Sequence, residues 1–272
     1  MTWSVIRKKI CKYGAIFAVG YQSRTAYIAD LLSRMPLIML RVWISTQFYG
    51  VALSVWGGAR FGGYTLQTLV YLIIFVQVFS WQNHPRIAEV ITEEIQTGSF
   101  AYTINRPYSY IFFHYCSYFG QQIPAMVLRF LSALAALIFL VGAPPIAPGT
   151  FCAGLILLFL GLSLDFFISF SLGMLSLWLE NALAFDTLYQ RMLLFFGGHY
   201  IPLDAMPYHI RIVLECLPFA QRGYSISRFM MNGSISYFFI TMAIQITWIC
   251  IMIFVAHTLF KKGQKNVSCS GG

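Results

Sequence analysis

The 272 residues include nine carboxylates, eighteen lysines and arginines, five histidines and six cysteines. Function could begin wherever these groups are spaced to act together. Gly161-Leu162-Ser163-Leu164-Asp165 has the look of a serine-nucleophile motif, with His257 as the available base. Depth separates them. Ser163 lies about 13 residues below one membrane face and His257 about 21, a mismatch near 12 Å where proton transfer needs about 3 Å. HExxH is absent, no carboxylate pair has the spacing of a membrane phosphotransferase, and G-x-x-x-x-G-K-[ST], whose amides cradle ATP phosphates, does not occur. Cys11, Cys116, Cys152, Cys216, Cys250 and Cys269 show neither CxxC nor CxxH spacing and read as small buried hydrophobes. His84, His114, His199 and His209 read as interfacial or loop residues. No catalytic residue, metal site or directly bound cofactor is expected.

Charges inside apolar stretches are the next candidates, because each costs several kcal/mol in lipid unless paired or facing a cavity. Arg129 stands 12 residues before the end of one apolar run, and Asp165 stands 15 after the start of the next. Their depths are about 18 and 22 Å. That match predicts an intramembrane ion pair between Arg129 and Asp165, with a place on a substrate pathway as the other reading. Arg41 is about 10 Å deep and can snorkel. Asp186 and Arg191 are five residues apart and face different neighbours.

The longest polar stretch, Arg86 to Ser99, predicts a short amphipathic helix. Ile87, Val90, Ile91 and Ile95 share a face, Arg86, Glu89, Glu93 and Gln96 lie off it, and Gly98 supplies a stop. Glu89, Glu93 and Glu94 would be repelled by anionic headgroups. A protein partner, rather than the membrane surface, is therefore the expected neighbour.

The elements that hold these groups are apolar helices. The chain is 58% hydrophobic and only 10% charged, against roughly a quarter charged in a soluble domain. About 20 apolar residues cross a hydrocarbon core of roughly 30 Å. Six such spans are expected, at 34–56, 65–83, 111–141, 151–179, 182–200 and 237–260. Trp56-Gly57-Gly58 ends the first, Pro124 kinks or tilts the third, and Lys261-Lys262 ends the last. The fold class is all-α, a polytopic membrane protein. Its parts are a cytoplasmic amphipathic N-terminal segment (1–33), a six-span transmembrane domain (34–260) and a cytoplasmic tail (261–272). Trp3, Ile6, Ile10, Tyr13 and Phe17 share a helical face away from Lys8, Lys9 and Lys12, which predicts a helix lying on the inner leaflet. Between the last two spans, 201–236 contains two apolar stretches of about ten residues, half a membrane thickness, read as an outer re-entrant hairpin.

A formal charge of +9 could suggest nucleic acid, yet the basic residues form no stripe and gather at span ends. Arg7, Lys8, Lys9, Lys12, Arg24, Arg34, Arg86, Arg106, Lys261, Lys262 and Lys265 fall on one side. Arg60, Arg211, Arg222 and Arg228 fall on the other, with Arg41, Arg129 and Arg191 inside spans. The positive-inside rule then puts both termini in the cytoplasm.

Two further patterns resemble a known family. Ile91-Thr92-Glu93-Glu94-Ile95-Gln96-Thr97-Gly98 followed by Arg106-Pro107 looks like the cytoplasmic coupling segment of ABC type-2 permeases. Phe195-Phe196-Gly197-Gly198-His199-Tyr200-Ile201-Pro202-Leu203-Asp204, then Met206-Pro207 and Leu217-Pro218-Phe219, looks like that family's outer hairpin. Where relatives often carry another proline shortly afterwards, this chain has Gln221-Arg222-Gly223-Tyr224. The resemblance implies an ATP-driven transporter permease, an exporter, in the bacterial cytoplasmic (inner) membrane. It would pair with a second permease, identical or paralogous, and use ATP only through a separate cytosolic ABC ATPase subunit. Arg86, Glu89, Glu93, Glu94 and Gly98 would form the ATPase dock, and Gly197, Gly198, Pro202, Pro207 and Pro218 would shape an outer gate. A secondary transporter is the alternative, and a membrane enzyme or assembly factor a further one.

Overall fold

A computed structural model describes residues 3–33, 35–55, 63–81 and 86–270. The break expected at Trp56-Gly57-Gly58, together with Arg34, Arg60 and His84, lies outside the described residues, as do the side chains of Trp3, Ile6, Lys8, Lys9 and Ile10. The regular elements among the described residues are helical. Four runs are long and apolar enough to cross a membrane: Ile28–Val55, Tyr110–Leu140, Pro148–Leu177 and Ile235–Gln264. They contain α2 (Ile28–Ser33) with α3 (Met35–Val55), α7 (Tyr110–Leu140), α8 (Pro148–Met174) and most of α13 (Ile235–Ser270). The other two expected spans are shorter. α4 (Leu66–Ser80) has 15 residues and α9 (Leu183–Phe196) has 14, about 22 and 21 Å of helix.

Local chemistry sets several boundaries. Thr65 caps α4, its hydroxyl accepting from the Thr68 N–H at 3.5 Å. Pro148 opens α8 at a position that needs no N–H donor. Pro124 sits inside α7 without ending it. α13 does not stop at Lys261-Lys262 but runs on to Ser270. Gly263 follows the two lysines without ending the helix.

α4 lies at the centre, packed by α3, α7 and α12 (Tyr224–Asn232). Leu69, Val70, Leu72, Phe75 and Val76 are fully buried, as expected of a helix that is apolar all round. α8 runs beside α13, while the outer faces of α3, α7 and α13 expose large apolar side chains such as Phe48, Phe139 and Phe254. Four of the five described cysteines are exposed, contrary to the expectation of burial. A small apolar thiol facing lipid has no need of a protein interior.

α1 (Trp3–Ala26) follows the first part of α7 in the same direction. The Lys12 amine donates to the Pro107 carbonyl at 2.5 Å, the Tyr13 ring meets Phe112 edge-on at 4.6 Å, and Gly20 lies against Gly120. A Cβ on Gly120 would come within 2.4 Å of the Phe17 carbonyl oxygen, so two glycines permit backbone contact. The described part of this helix therefore has a protein neighbour as well as whatever lipid it meets.

Candidate functional site

The amphipathic helix α5 (Ile87–Gln96) turns its apolar face inward. Ile87, Ala88 and Ile91 are buried against the inner end of α8, and a Cβ on Gly173 would sit 3.0 Å from the Ala88 Cα. The apolar face, expected to lie against a protein partner, is covered by the chain's own α8. Both ends of α5 are tied down. At its start, Arg86 pairs with Glu89 at 2.9 Å and reaches Asp186 on α9 at 2.8 Å, while Glu89 accepts from the Arg86 backbone N–H at 2.9 Å. Near its end, Glu94 accepts from the Tyr110 hydroxyl at 2.8 Å and stands 3.5 Å from His114 Nε2, both on α7. Burial would push the Glu94 carboxyl up, but the bonds from His114 and Tyr110 and the nearby charge of Arg106 outweigh it and hold it below the usual carboxylate value. Gly98, at φ +75°, adopts the left-handed conformation that ends α5 and starts α6 (Ser99–Ile104). Glu93, Gln96, Thr97 and Gly98 form the exposed edge.

The five proposed docking residues therefore divide. Arg86, Glu89 and Glu94 bind α5 to the bundle, and Glu93 and Gly98 face outward. Asp186 and His114 were not recognised as anchors from the sequence. His114 is buried in α7 rather than lying in a loop or at an interface. An acid at the start of one helix and a histidine one turn into another carry no local sign that they meet the same element.

At the other end of the bundle, α9 gives way to Gly197 and Gly198. Gly198 has φ +70°, and a Cβ there would fall 2.6 Å from the Tyr224 ring, so glycine is required both for conformation and for space. Pro202 precedes a single turn, Leu203–Ala205, and Pro207 precedes α10 (Tyr208–Cys216). Pro218 opens α11 (Pro218–Gln221), where its missing N–H costs no helical bond. Four charged side chains knit these pieces together. Asp204 Oδ1 receives Arg211 at 2.9 Å and Arg228 at 3.0 Å, and Glu215 Oε1 receives the same two arginines at 2.9 and 2.7 Å. Tyr64 and Tyr224 donate to the other Asp204 oxygen at 2.6 and 2.5 Å. The sequence reading treated Arg211 and Arg228 only as topology markers.

Arg222 was counted there too, and the structure moves it to the interior. It is 1% exposed and forms an ion pair with Asp165, which also accepts from Tyr118 at 2.9 Å and Tyr189 at 3.0 Å. Asp165 thus has a guanidinium in Arg222, and Arg129 donates to the Trp81 and Ala125 carbonyls at 2.8 and 3.0 Å. Matching depths fix only the position along a helix axis. The segment that lowers Arg222 follows α8: Arg222 lies against Gly161, Met230 against Gly154 and Thr150 against Gly233. Gln245 on α13 supports the turn, donating to the Gln221 carbonyl at 2.8 Å. Such a glutamine in an apolar span was the one local sign of polar backbone nearby.

Ser163 bonds to Tyr115 at 2.8 Å and to the Phe159 carbonyl, while His257 is exposed on α13. No reactive pair forms from them. Among the described residues, no group of three or more His, Cys, Asp or Glu is placed to hold a metal ion. A cavity of about 950 Å³ opens between α3, α4 and α9, reaching from Arg86 to Tyr200.

No curated protein matches the chain. A family model described as "ABC-2 family transporter protein" matches residues 41–271, from the first apolar helix into the C-terminal tail. With a match of that extent, the chain belongs to the ABC-2 family and is a transporter's membrane component.

Proposed function

We propose that this chain is the permease of an ATP-driven exporter in a bacterial cytoplasmic membrane, paired with a second permease and driven by a separate cytosolic ABC ATPase. The observation that carries the reading is the attachment of α5 at both ends, to α9 through Arg86 and Asp186 and to α7 through Glu94 and Tyr110. A force on the exposed edge at Glu93 and Gly98 is passed to α7, α8 and α9 together, since packed elements move as rigid bodies between discrete arrangements. The chain crosses six times with both termini inside, α4 and α9 completing the four longer spans. Residues 201–236 form an outer re-entrant hairpin, a reading supported by α12 lying along α8 and by Gln245 and Trp248, which donate to the Gln221 and Cys216 carbonyls of its broken backbone. The open cavity beside α3, α4 and α9 is one half of a pathway that the second permease closes. ATP reaches the machine only through the partner.

Purification of the tagged chain in mild detergent, with identification of what accompanies it and an ATPase assay, tests this. A stoichiometric Walker-motif ATPase that is lost in Glu93→Lys supports the reading. A chain that purifies alone, without ATPase activity, overturns it.

A further inference from the structure

Two cavities share a wall at Arg41. The larger lies between α3, α4 and α9, the smaller, about 170 Å³, lies between α3, α4 and α7, and Arg41, Gln77 and Trp81 border both. The smaller is walled mainly by Leu37, Ile38, Ile74, Val78 and Leu128, with Arg129 and Ser132 beside them. Neither lining contains an aspartate or glutamate. The Arg41 guanidinium stacks on the Trp81 ring at 4.1 Å, which covers one face of the cation and leaves its N–H donors directed outward in the plane. Among the described residues no carboxylate forms a salt bridge with it.

Depth adds the second half of the argument. Arg41 stands six residues after the start of α3, about 9 Å along a helix that enters from the cytoplasmic side. A cation at that level is within reach of the inner headgroups, and an apolar slot opens beside it. A slot of this volume accepts a few methylenes, as a dry cavity of about 150 Å³ accepts benzene. Cationic fork and apolar slot together describe an amphiphile with an anionic head. Phosphate fits the planar fork in bidentate fashion, whereas the ammonium of a zwitterionic head would find no carboxylate here and would meet Arg129 and, across the wall, Arg86.

We propose that this is a binding site for an anionic phospholipid of the inner leaflet, its phosphate on Arg41 and part of one acyl chain between α3, α4 and α7. The site does not depend on the direction of transport or on the ATPase, and its test reads binding alone.

The full chain, purified in mild detergent, is titrated with phosphatidylglycerol and with phosphatidylcholine of the same acyl chains, and bound lipid is counted by native mass spectrometry. Wild type retains phosphatidylglycerol preferentially. Arg41→Gln weakens that retention about fivefold, the worth of one basic group near an anionic surface, and brings the two lipids level. Ser132→Phe fills the slot and weakens retention with Arg41 intact. Equal retention of both lipids by wild type means annular lipid only and overturns the proposal, as does an unchanged preference in Arg41→Gln or undiminished retention in Ser132→Phe. Displacement by millimolar inorganic phosphate also overturns it, since the site would then hold a free anion. Should Arg41→Gln not purify folded, Ser132→Phe decides.

Discussion

The two ends of the bundle hold their charges differently. At the α5 end the helix is fixed by one ion pair at its start and one carboxylate near its end, and its exposed edge is left without an internal partner surface. At the opposite end Asp204, Glu215, Arg211 and Arg228 satisfy one another, Arg228 also lies over the Tyr237 ring at 4.6 Å, and Arg222 reaches inward to Asp165. An element closed on itself holds a shape. An element pinned at its ends and open along one edge can receive a force and pass it on. The contrast is what the proposed function uses, a docking edge on α5 and a gate at residues 201–236.

Removing the deepest charge should separate the two ends most strongly. Asp165→Ala leaves the Arg222 guanidinium buried without its carboxylate, a loss of about 3–5 kcal/mol for breaking a buried pair. Thermal unfolding in detergent should show a large fall in midpoint, partly restored in the double variant Asp165→Ala with Arg222→Met. A fall no greater in the single than in the double variant would mean that the pair does not hold the outer segment. Gly198→Ala tests the same region without changing charge. It forces a methyl group toward Tyr224 at positive φ, and about 1–3 kcal/mol is expected from strain and crowding. A silent Gly198→Ala would show that this turn relaxes freely.

At the inner end the effects should be smaller and should divide between two adjacent acids. Glu94→Gln weakens the tie to α7 and lowers stability by about 1.5 kcal/mol, the lower range for a hydrogen bond to a charged group. This loss depends on pH. Because the Glu94 carboxyl is held below its ordinary value of 4.5, the tie is fully present above that pH and disappears as pH falls through the lower, folded-state value. The midpoints of wild type and Glu94→Gln should therefore converge on acidification below about pH 4.5. Glu93→Ala should leave the midpoint unchanged while reducing ATPase co-purification. If Glu93→Ala unfolds the chain, or Glu94→Gln alone releases the ATPase, the division of α5 into an anchored side and a docking edge fails.

Much of this arrangement could be read from residue patterns. The helix at 87–96 and its stop at Gly98 follow from isoleucine spacing and from the one residue that accepts positive φ without cost. The two short helices near 208–216 and 224–232 follow from apolar runs too short to cross, bounded by Pro207, Pro218 and Gly233. The pairings were less legible. Asp165 has its guanidinium from 57 positions along the chain, and Arg86 meets an acid 100 positions away. Neither separation leaves a periodic trace.

The sequence by itself determined that the chain lives in an apolar phase, that it is helical, and that it lacks the motif to bind ATP in a phosphate loop, because hydropathy, periodicity and a missing motif are local properties. Only the tertiary structure decided which charges are spent internally and which remain for others. Burying a charge is tolerable only when a specific partner arrives in three dimensions, and that arrival turns Arg222 from an apparent surface marker into a core residue, gives Glu94 to the bundle and leaves Glu93 outside.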